Sequence, residues 1–350
     1  MEHCTLDERF MQRALGLAQR GSGRVAPNPL VGAVLVHNNC IIGEGWHQKY
    51  GGPHAEVNCI ASVAASDRDK IGESTMYVTL EPCAHFGKTP PCANLILEYK
   101  IPRVVIACTD TYSKVAGKGI QLLRNAGIDV QVGMMEQQAR ELNRRFFTFH
   151  EQQRPYIILK WAQSSDGFIA PPQGQKVMLS NALSQRYVHQ MRHAEAAILV
   201  GFRTALYDNP LLSDRYFSGP NPLRLVIDPQ NSLPDDLCLK SDGQATIIFN
   251  FLYEGSHGPI TYVQISPQKS IAHQVADYLF HHHINSLIVE GGTKTLDLFI
   301  ESGLWDEAHI IQTTQALCQG QPAPILQDAV LQDTTTLYTD KILRYMRSQP

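Results

Sequence analysis

Four side chains in the first third of the sequence could together bind a metal ion and transfer a proton. A histidine, a glutamate and two cysteines stand at His54, Glu56, Cys83 and Cys92. Zinc takes imidazole nitrogen and thiolate sulfur as ligands, and a catalytic zinc site leaves its fourth position for water. We therefore predict that His54, Cys83 and Cys92 bind one zinc ion per chain and that Glu56 moves the proton of an attacking water.

This arrangement is similar to the pattern of zinc base deaminases, H-x-E followed by P-C-x-x-C, except for the spacing of the cysteines. Here the residues AHFGKTPP separate the two thiols, and the prolines can turn the chain back so that both sulfurs still reach the metal. His85 and Lys88 in this loop could contact an anionic substrate. The alternatives are ordinary buried residues or a closed structural site, which usually has a fourth Cys or His as ligand.

The composition indicates a globular protein of two domains. The chain has 350 residues, of which 43% are hydrophobic and 18% charged, and this length suits two domains. A net charge of −3 with scattered Lys and Arg argues against nucleic acid as a partner. Without a signal core or a long apolar segment, we expect a cytoplasmic protein with no membrane contact. The remaining cysteines follow no paired framework and are predicted to be reduced packing residues: Cys4, Cys40, Cys59, Cys108, Cys238 and Cys318.

The elements expected around the four residues form one α/β domain, because alternating strands and helices predict a mostly parallel sheet covered by helices. Strands are expected at 30–37, 41–47, 75–82, 103–110 and 128–133, and helices at 7–21 (capped by Asp7), 54–65, from Cys92 and at 120–125. The helix at His54 would direct the positive end of its dipole at the metal. Asn28 is either a ligand contact or a turn residue. His47 ends a strand and is either near the metal or structural.

A charged helix at 136–150 is expected to end the first domain, and residues 152–155 are expected to form the boundary. A second α/β domain follows, and the limits assigned to the two domains are 1–148 and 149–350. Its elements are predicted as strands within 156–167, 196–201, 223–228, 245–250 and from 286, and helices at 181–193, 270–281 and from Thr293. Lys160, inside an apolar run, is either a snorkelling edge residue or a functional cation. The segment after residue 201 is expected to be a loop. Its Arg203, Arg215 and Asp208, with Arg192, either hold a phosphate or face solvent.

Two further motifs in the second half concern ligands. Glu290-Gly291-Gly292 stands between a predicted strand and a predicted helix, where backbone N–H groups can approach a phosphate. It is not G-x-G-x-x-G, so it does not predict a Rossmann site. The three histidines at 281–283 do not share a helix face, and we predict a solvated helix end there.

Together these motifs resemble those of the bifunctional riboflavin-biosynthesis deaminase–reductases. The first half matches through APNPLVGAVLV, GEGWH, GGPHAEV and YVTLEPCAHFGKTPPC, and the second through PYIILKWAQSSDG, ILVGFRTALYDNPLL, RLVID and IVEGGTKTLDLFIESGLWDE. The resemblance implies an N-terminal cytidine-deaminase-like α/β/α domain, residues 1–148, followed by a dihydrofolate-reductase-like α/β domain, residues 149–350. It implies zinc-dependent deamination of 2,5-diamino-6-(5-phosphoribosylamino)pyrimidin-4(3H)-one, after which NADPH reduces the ribosyl chain to a ribityl chain.

The resemblance also assigns residues to the two reactions. For the deaminase it implies zinc on His54, Cys83 and Cys92, proton transfer by Glu56, and substrate contacts at Asn28, His47, His85 and Lys88. For the reductase, substrate contacts are expected at Lys160, Lys176, Arg192, Leu212, Arg215 and Glu290. Contacts with NADPH are expected at Ala162, Met178, Thr204, Asp208, Gly292, Thr293, Lys294, Thr295 and Leu296.

The second half departs from the family pattern in several places. Ser165 stands where relatives carry the leucine of SLDG, Met178 replaces an aromatic, and Lys176 replaces a small polar residue. These departures motivate one alternative, a monofunctional deaminase with an impaired reductase-like domain. A tRNA base editor and a zinc-stabilised binding protein are two further alternatives. We expect a small-molecule pyrimidine as substrate and self-association into a homo-oligomer.

Overall fold

The computed structural model describes residues 5–84, 90–111, 117–172 and 177–348. The chain divides into two compact units, residues 1–153 and 154–350. Each unit has its own apolar core between a sheet and helices. The functional boundary at 148/149 stays a prediction. In the described part of the chain, no helix has the length and apolar character needed to cross a bilayer.

The first unit is built on a five-stranded sheet. Its strands are β1 (Gly32–His37), β2 (Cys40–Trp46), β3 (Thr75–Leu80), β4 (Arg103–Cys108) and β5 (Asp129–Val132). Their spatial order is β2-β1-β3-β4-β5. Strand β1 pairs antiparallel with β2 and β3, whereas β3, β4 and β5 run parallel. The chain leaves the carboxyl end of β3 directly toward Cys83, which places this predicted ligand at a sheet edge where ligands commonly bind.

Helices cover both faces of this sheet, since its central strands are apolar on both sides. They are α1 (Leu6–Ala18), α2 (Ala55–Ala61), α3 (Cys92–Glu98), α4 (Lys118–Asn125), α5 (Glu136–Leu142) and α6 (Arg144–Gln152). One apolar cluster packs α2, α3 and α4 against Leu35, Met76 and Ile106. A second cluster packs α1, α5 and α6 against the neighbouring strand residues Val34 and Tyr77. Because successive strand residues point to opposite faces, the result is a three-layer α/β/α unit.

The first helix is capped by Thr5, and the prediction of Asp7 as its cap is wrong. Thr5 Oγ1 accepts a hydrogen bond from Glu8 N at 3.2 Å, and the Glu8 carboxylate accepts one from Thr5 N at 2.6 Å. This reciprocal pair is a capping box, which satisfies two backbone donors. The Asp7 carboxylate instead accepts a hydrogen bond from Arg103 Nη2 at 2.7 Å.

Two predicted helices of the first unit differ in length. The helix after His54 ends at Ala61, and a 3-10 helix covers Ala65–Glu73. The single helix expected at 136–150 is the pair α5 and α6, which meet at Asn143. The Asn143 side chain accepts a hydrogen bond from Leu30 N at 2.7 Å and donates one to Leu30 O at 2.9 Å. A long-range contact of this kind leaves no signal in helical periodicity.

The second unit contains a ten-stranded sheet and a small two-stranded one. The strands are β6 (Tyr156–Gln163), β7 (Phe168–Ala170), β8 (Ala197–Gly201), β9 (Leu223–Ile227), β10 (Thr246–Asn250), β11 (Gly255–His257), β12 (Ile260–Gln264), β13 (Ser286–Val289), β14 (Glu307–Gln312), β15 (Gln321–Pro322), β16 (Ala329–Leu337) and β17 (Asp340–Arg347). The large sheet has the order β11-β12-β10-β9-β8-β13-β6-β14-β17-β16, and β7 pairs with β15. The seven central strands, β12-β10-β9-β8-β13-β6-β14 in spatial order, run parallel. Antiparallel strands flank them, β11 at one edge and β17 and β16 at the other.

The helices of the second unit also cover both faces of its sheet. They are α7 (Ala182–Ala194), α8 (Phe202–Asp208), α9 (Cys238–Ser241), α10 (Ile271–His281) and α11 (Thr293–Glu301). One apolar cluster packs α10 and α11 against Leu159 and Leu287. The cluster on the other face packs α7, α8 and α9 against Ile158 and Ile288. The parallel strands therefore direct their carboxyl ends toward residues 160–163 and 290–292, where polar side chains were predicted to act.

Two predictions, about the segment after β8 and about the cysteines, need correction, and the C-terminal hairpin was not expected from the sequence. The segment after β8 is helical over Phe202–Asp208 rather than a loop. The hairpin of β16 and β17 was not predicted, because most of β16 is exposed and its residues lack an apolar alternation. Cys40 and Cys318 are exposed rather than packing residues, whereas Cys59 and Cys108 are buried, Cys238 is half-buried, and Cys4 lies outside the described residues. The histidines at 281–283 are exposed at the end of α10, as predicted.

Candidate active sites

The predicted zinc ligands converge in the first unit. His54 Nδ1 lies 3.6 Å from Cys83 Sγ and 3.3 Å from Cys92 Sγ. The three ligand atoms all lie within 4.8 Å of one another. Tetrahedral bonds of about 2.1 Å to nitrogen and about 2.3 Å to sulfur would place such ligand atoms about 3.6 Å apart. The residue types and their separations therefore fit zinc.

Three element ends bring these ligands together. His54 is the N-cap of α2, Cys83 follows β3, and Cys92 is the first residue of α3. Cys92 N donates a hydrogen bond to Cys83 Sγ at 3.3 Å. Hydrogen bonds, first from Cys92 and then from His54, lower the pKa of the Cys83 thiol. This favours the thiolate, the form of cysteine that binds metal.

Glu56 lies in the first turn of α2, directly after the ligand His54. Its side chain is buried, with 3% exposure. Burial raises the pKa of the Glu56 carboxyl, while nearby His54 opposes that effect. A buried carboxyl beside the metal ligands can take up a proton and release it again.

Asn28 and His47 form a pair next to the ligands. Asn28 Nδ2 lies 3.1 Å from His47 Nε2, and His47 Nδ1 lies 3.0 Å from the carbonyl oxygen of Pro53. We assign the proton to Nδ1, which donates to Pro53, so that Nε2 accepts from Asn28. Burial lowers the pKa of His47, in agreement with a neutral ring. The His47 ring lies 5.8 Å from the His54 ring between centroids, whereas His85 and Lys88 lie outside the described residues.

Sequence reasoning missed Glu81, which organises the chain beside the metal ligands. Its buried carboxylate accepts hydrogen bonds from Gly117 N at 2.9 Å and Gly119 N at 2.9 Å, as well as from the N–H groups of residues 110 and 120. A Cβ on Gly119 would lie 1.9 Å from the carbonyl oxygen of Pro82. Glu81 and Gly119 thus hold the segment around Pro82 and Cys83 against the start of α4. A glutamate directly after an apolar strand was the available signal.

In the second unit, Glu290 pairs with two predicted substrate residues. Arg192 Nε and Nη2 each donate to its carboxylate at 2.8 Å, and Lys160 Nζ donates at 3.1 Å. Burial raises the pKa of Glu290, but Arg192 and then Lys160 lower it more, to about 2. Lys160 belongs to β6, an interior strand of the sheet. The interpretation of Lys160 as a snorkelling edge residue is therefore wrong.

The predicted phosphate-binding arginines take different positions. Arg203 is exposed in α8, and Arg215 is exposed beyond that helix. Leu212 is buried, and its φ of +52° is in the left-handed region. Arg215 N donates to His189 Nδ1 at 3.2 Å. In the structure, Arg192 therefore pairs with Glu290, and the backbone of Arg215 is hydrogen-bonded to α7. Sequence reasoning missed the contact between Arg215 and α7.

Some of the residues that are expected to contact the cofactor lie around the start of α11. Gly292 is its N-cap, and Gly292 N donates to Thr204 Oγ1 at 3.2 Å. A Cβ on Gly291 would lie 2.5 Å from Thr295 Cβ, so only glycine allows this close approach. Thr295 is buried, and Leu296 belongs to the apolar core, so its side chain is directed away from a surface ligand.

The other residues expected to contact the cofactor are half-buried or exposed. Ala162 is half-buried near the end of β6, and Thr293 is half-buried at the start of α11. Asp208 and Lys294 are exposed, and Met178 has 72% of its surface exposed. Lys176 lies outside the described residues. The contacts of all these residues with substrate or cofactor stay predictions.

The two units define a class of protein: a zinc-dependent deaminase domain joined to a reductase domain. Residues 4–108 match the family model for the cytidine and deoxycytidylate deaminase zinc-binding region, and residues 155–345 match the model for the RibD C-terminal domain. Riboflavin biosynthesis protein RibD of Aquifex aeolicus is 38% identical over 90% of this chain and 89% of its own. The RibD protein of Bacillus amyloliquefaciens is 37% identical over 87% of this chain and 83% of its own.

Solved structures agree with these matches. The Thermotoga maritima diaminohydroxyphosphoribosylaminopyrimidine deaminase/5-amino-6-(5-phosphoribosylamino)uracil reductase is 33% identical, with a TM-score of 0.91 over 99% of this chain and all of the other. RibD of Acinetobacter baumannii is 30% identical, with a TM-score of 0.88 over 98% and 99% of the two chains. The chain belongs to the RibD family of riboflavin biosynthesis proteins.

Family membership confirms several predictions. The order of a deaminase-like domain and a reductase domain is as expected, and the chain is a pyrimidine deaminase that uses zinc and an NADPH-dependent reductase. A monofunctional deaminase is not favoured, because the second half matches the RibD reductase domain over residues 155–345.

Proposed function

We propose that the first unit removes the 2-amino group of 2,5-diamino-6-(5-phosphoribosylamino)pyrimidin-4(3H)-one as ammonia. The second unit then uses NADPH to reduce the product, 5-amino-6-(5-phosphoribosylamino)uracil, to its ribityl form. The observation that carries this proposal is the convergence of His54, Cys83 and Cys92 beside the buried Glu56. The full-length similarity to a deaminase/reductase with these substrates in its name supports both steps.

In the deaminase step, bound zinc supplies a Lewis acid that makes water a usable nucleophile near neutral pH. Glu56 accepts the proton of that water as its oxygen attacks the amidine carbon. The same carboxyl then protonates the departing nitrogen, so that water and the amino-pyrimidine become ammonia and a carbonyl product. Asn28 donates to His47, which leaves Asn28 Oδ1 as an acceptor for an N–H of the pyrimidine.

In the reductase step, NADPH would supply the hydride for ribose C1′, and this reduction requires that the bond from C1′ to the ring oxygen break. The ring oxygen must then gain a proton. Lys160 is our candidate donor, because its ammonium group is held by Glu290 in a partly buried position. Arg192 and Arg215 supply positive charge for the 5′-phosphate.

The first test separates metal binding from proton transfer. Glu56→Gln should keep zinc but release ammonia about 10²- to 10⁴-fold more slowly, since the amide cannot carry the proton. Metal analysis and an ammonia assay on the same preparation measure both quantities. Normal turnover in this variant would exclude Glu56 as the proton carrier.

The second test isolates the reductase. Supplying 5-amino-6-(5-phosphoribosylamino)uracil directly bypasses the zinc site, and substrate-dependent loss of NADPH absorbance should follow. Protein that releases ammonia from the diamino compound but does not oxidise NADPH would be a deaminase only.

Self-association and a cytoplasmic location stay predictions. Analytical ultracentrifugation would measure the state of self-association.

A further inference from the structure

The chain between α8 and β9 is fastened to one side of α7. Arg215 N donates a hydrogen bond to His189 Nδ1 at 3.2 Å. About one helical turn further on, Arg192 Nη1 donates to the carbonyl oxygen of Ser213 at 3.5 Å and also pairs with Glu290. The segment that carries Arg215 therefore lies beside the pair of Arg192 and Glu290.

His189 can hold the backbone of Arg215 but cannot also hold its side chain. A neutral imidazole has one acceptor nitrogen and one N–H group. Arg215 N lies 3.2 Å from Nδ1, and Arg215 Nη2 lies 3.4 Å from Nε2. We assign the lone pair to Nδ1, which has the shorter of the two contacts, so that Nε2 carries the proton and cannot accept from the guanidinium. The exposed guanidinium is then able to turn toward an anion.

A buried aspartate orders the turn that follows this attachment. Asp214 Oδ1 accepts hydrogen bonds from the backbone N–H groups of residues 216 and 217, at 3.0 and 3.2 Å. Asp214 Oδ2 lies 3.0 Å from His193 Nδ1, although the pair is not aligned for a hydrogen bond, and the carboxylate is 2% exposed. His189 and His193 lie one helical turn apart, so Asp214 lies on the same side of α7 as the contact between His189 and Arg215. Burial, followed by Arg192 and Arg215, lowers the pKa of His189, which agrees with a neutral ring.

We propose that His189 is a positioning residue of the reductase, which fixes the backbone of Arg215 so that its guanidinium faces the 5′-phosphate of the pyrimidine substrate. This inference rests on the proposed function, in which Arg215 binds that phosphate. His189 touches neither substrate nor cofactor in this scheme. Its contribution is the acceptor atom at Nδ1.

The pair His189→Leu and His189→Asn tests this acceptor with side chains of nearly equal shape. Asparagine Oδ1 can replace Nδ1 as acceptor, whereas leucine has a methyl group at the equivalent branch. NADPH oxidation would be measured with 5-amino-6-(5-phosphoribosylamino)uracil and with the same compound lacking its phosphate. Arg215→Gln serves as the reference for loss of the phosphate contact, and ammonia release by the same chain reports an intact first unit.

For the phosphorylated substrate, His189→Leu should raise KM about tenfold at nearly unchanged kcat, the scale of one lost hydrogen bond to a buried partner. His189→Asn should stay close to wild type, and the phosphate-free substrate should not distinguish the variants. The double variant with Arg215→Gln should be no worse than Arg215→Gln alone, because both changes remove one interaction.

The possible failures are distinguishable. If Arg215→Gln raises KM for the phosphorylated substrate but His189→Leu does not, the role of His189 is overturned and the proposed function stands. Equal losses on both substrates, or equal losses in the Asn and Leu variants, would show a merely structural role. No effect of Arg215→Gln on either substrate would contradict the phosphate contact itself. If His189→Leu does not fold, His189→Ala replaces it in the same comparison.

Discussion

Replacing Glu290 with glutamine should remove a pH-dependent part of the stability of the second unit. The buried carboxylate contacts both Arg192 and Lys160. Burial raises the pKa of Glu290, but these two cations lower it more, from 4.5 to about 2. A carboxylate with a lowered folded pKa contributes its full stability above the unfolded pKa and loses it as the pH falls through the folded value.

The magnitude follows from the pKa difference. One pKa unit corresponds to about 1.4 kcal/mol, so a shift from 4.5 to about 2 amounts to about 3 kcal/mol. The carboxylate is 7% exposed, so screening by solvent reduces this value little. Glutamine keeps the volume but leaves two partly buried cations without a counter-charge, which costs about 3–5 kcal/mol in comparable cases. Near neutral pH, the wild type should therefore be more stable than Glu290→Gln. This difference in the free energy of unfolding should shrink as the pH falls from about 4.5 to about 2.

The tryptophans allow the second unit to be observed by itself. Trp161 and Trp305 are buried in the second unit, whereas Trp46 belongs to β2 of the first, and the sequence has 3 tryptophans. In a Trp46→Phe background, tryptophan fluorescence during urea unfolding reports on the second unit alone. The free energies of unfolding of the wild type and of Glu290→Gln would be compared in this background from about pH 7 to about pH 3.

Glu301→Gln is the matched control, since Glu301 is an exposed carboxylate at the end of α11. Its effect should be small at every pH, because exposed charges contribute little. A stability difference for Glu290→Gln that stays constant down to about pH 3 would refute an ionised, paired Glu290. The same pH profile in Glu301→Gln would also refute it, because burial would then play no part.

Two further predictions concern the first unit. Cys92→Ser should lower the zinc content well below one ion per chain and abolish ammonia release, while reduction of the deaminated substrate stays normal; retained zinc would exclude Cys92 as a ligand. Gly119→Ala should destabilise the unit by about 1–3 kcal/mol, because its Cβ would lie 1.9 Å from the Pro82 carbonyl oxygen. Deaminase activity remaining after graded heating measures this loss, with Gly16→Ala as control, since a Cβ there meets no atom within 4 Å.

Much of the fold was predictable because its signals are local. The apolar run before Cys83 predicts β3, and the chain from His54 predicts the start of α2, so two ligands could be placed at element ends. The glycines after Glu290 predict the turn into α11. In each case the residues that signal the end of a strand or the start of a helix lie within a few positions of the polar residue of the site.

The rest depends on contacts between residues far apart in the sequence. Asn143 interrupts a predicted helix because it bonds to Leu30, which lies 113 positions away. The ion pair of Lys160 with Glu290 joins residues 130 positions apart and decides between two interpretations of that lysine. Periodicity within a short window contains no information about such partners.

Glu81 and His189 share a way of holding the segments that carry site residues. Glu81 accepts from four backbone N–H groups, and His189 accepts from that of Arg215. An acceptor for a backbone N–H determines where a segment runs without restricting the side chains on that segment. Glu81 lies on the segment of Cys83 and attaches it to the backbone at residues 110, 117, 119 and 120, whereas His189 attaches the backbone of Arg215 to α7. Substitution of Glu81 or His189 should accordingly change binding through the position of the segment, even though neither side chain needs to touch a ligand.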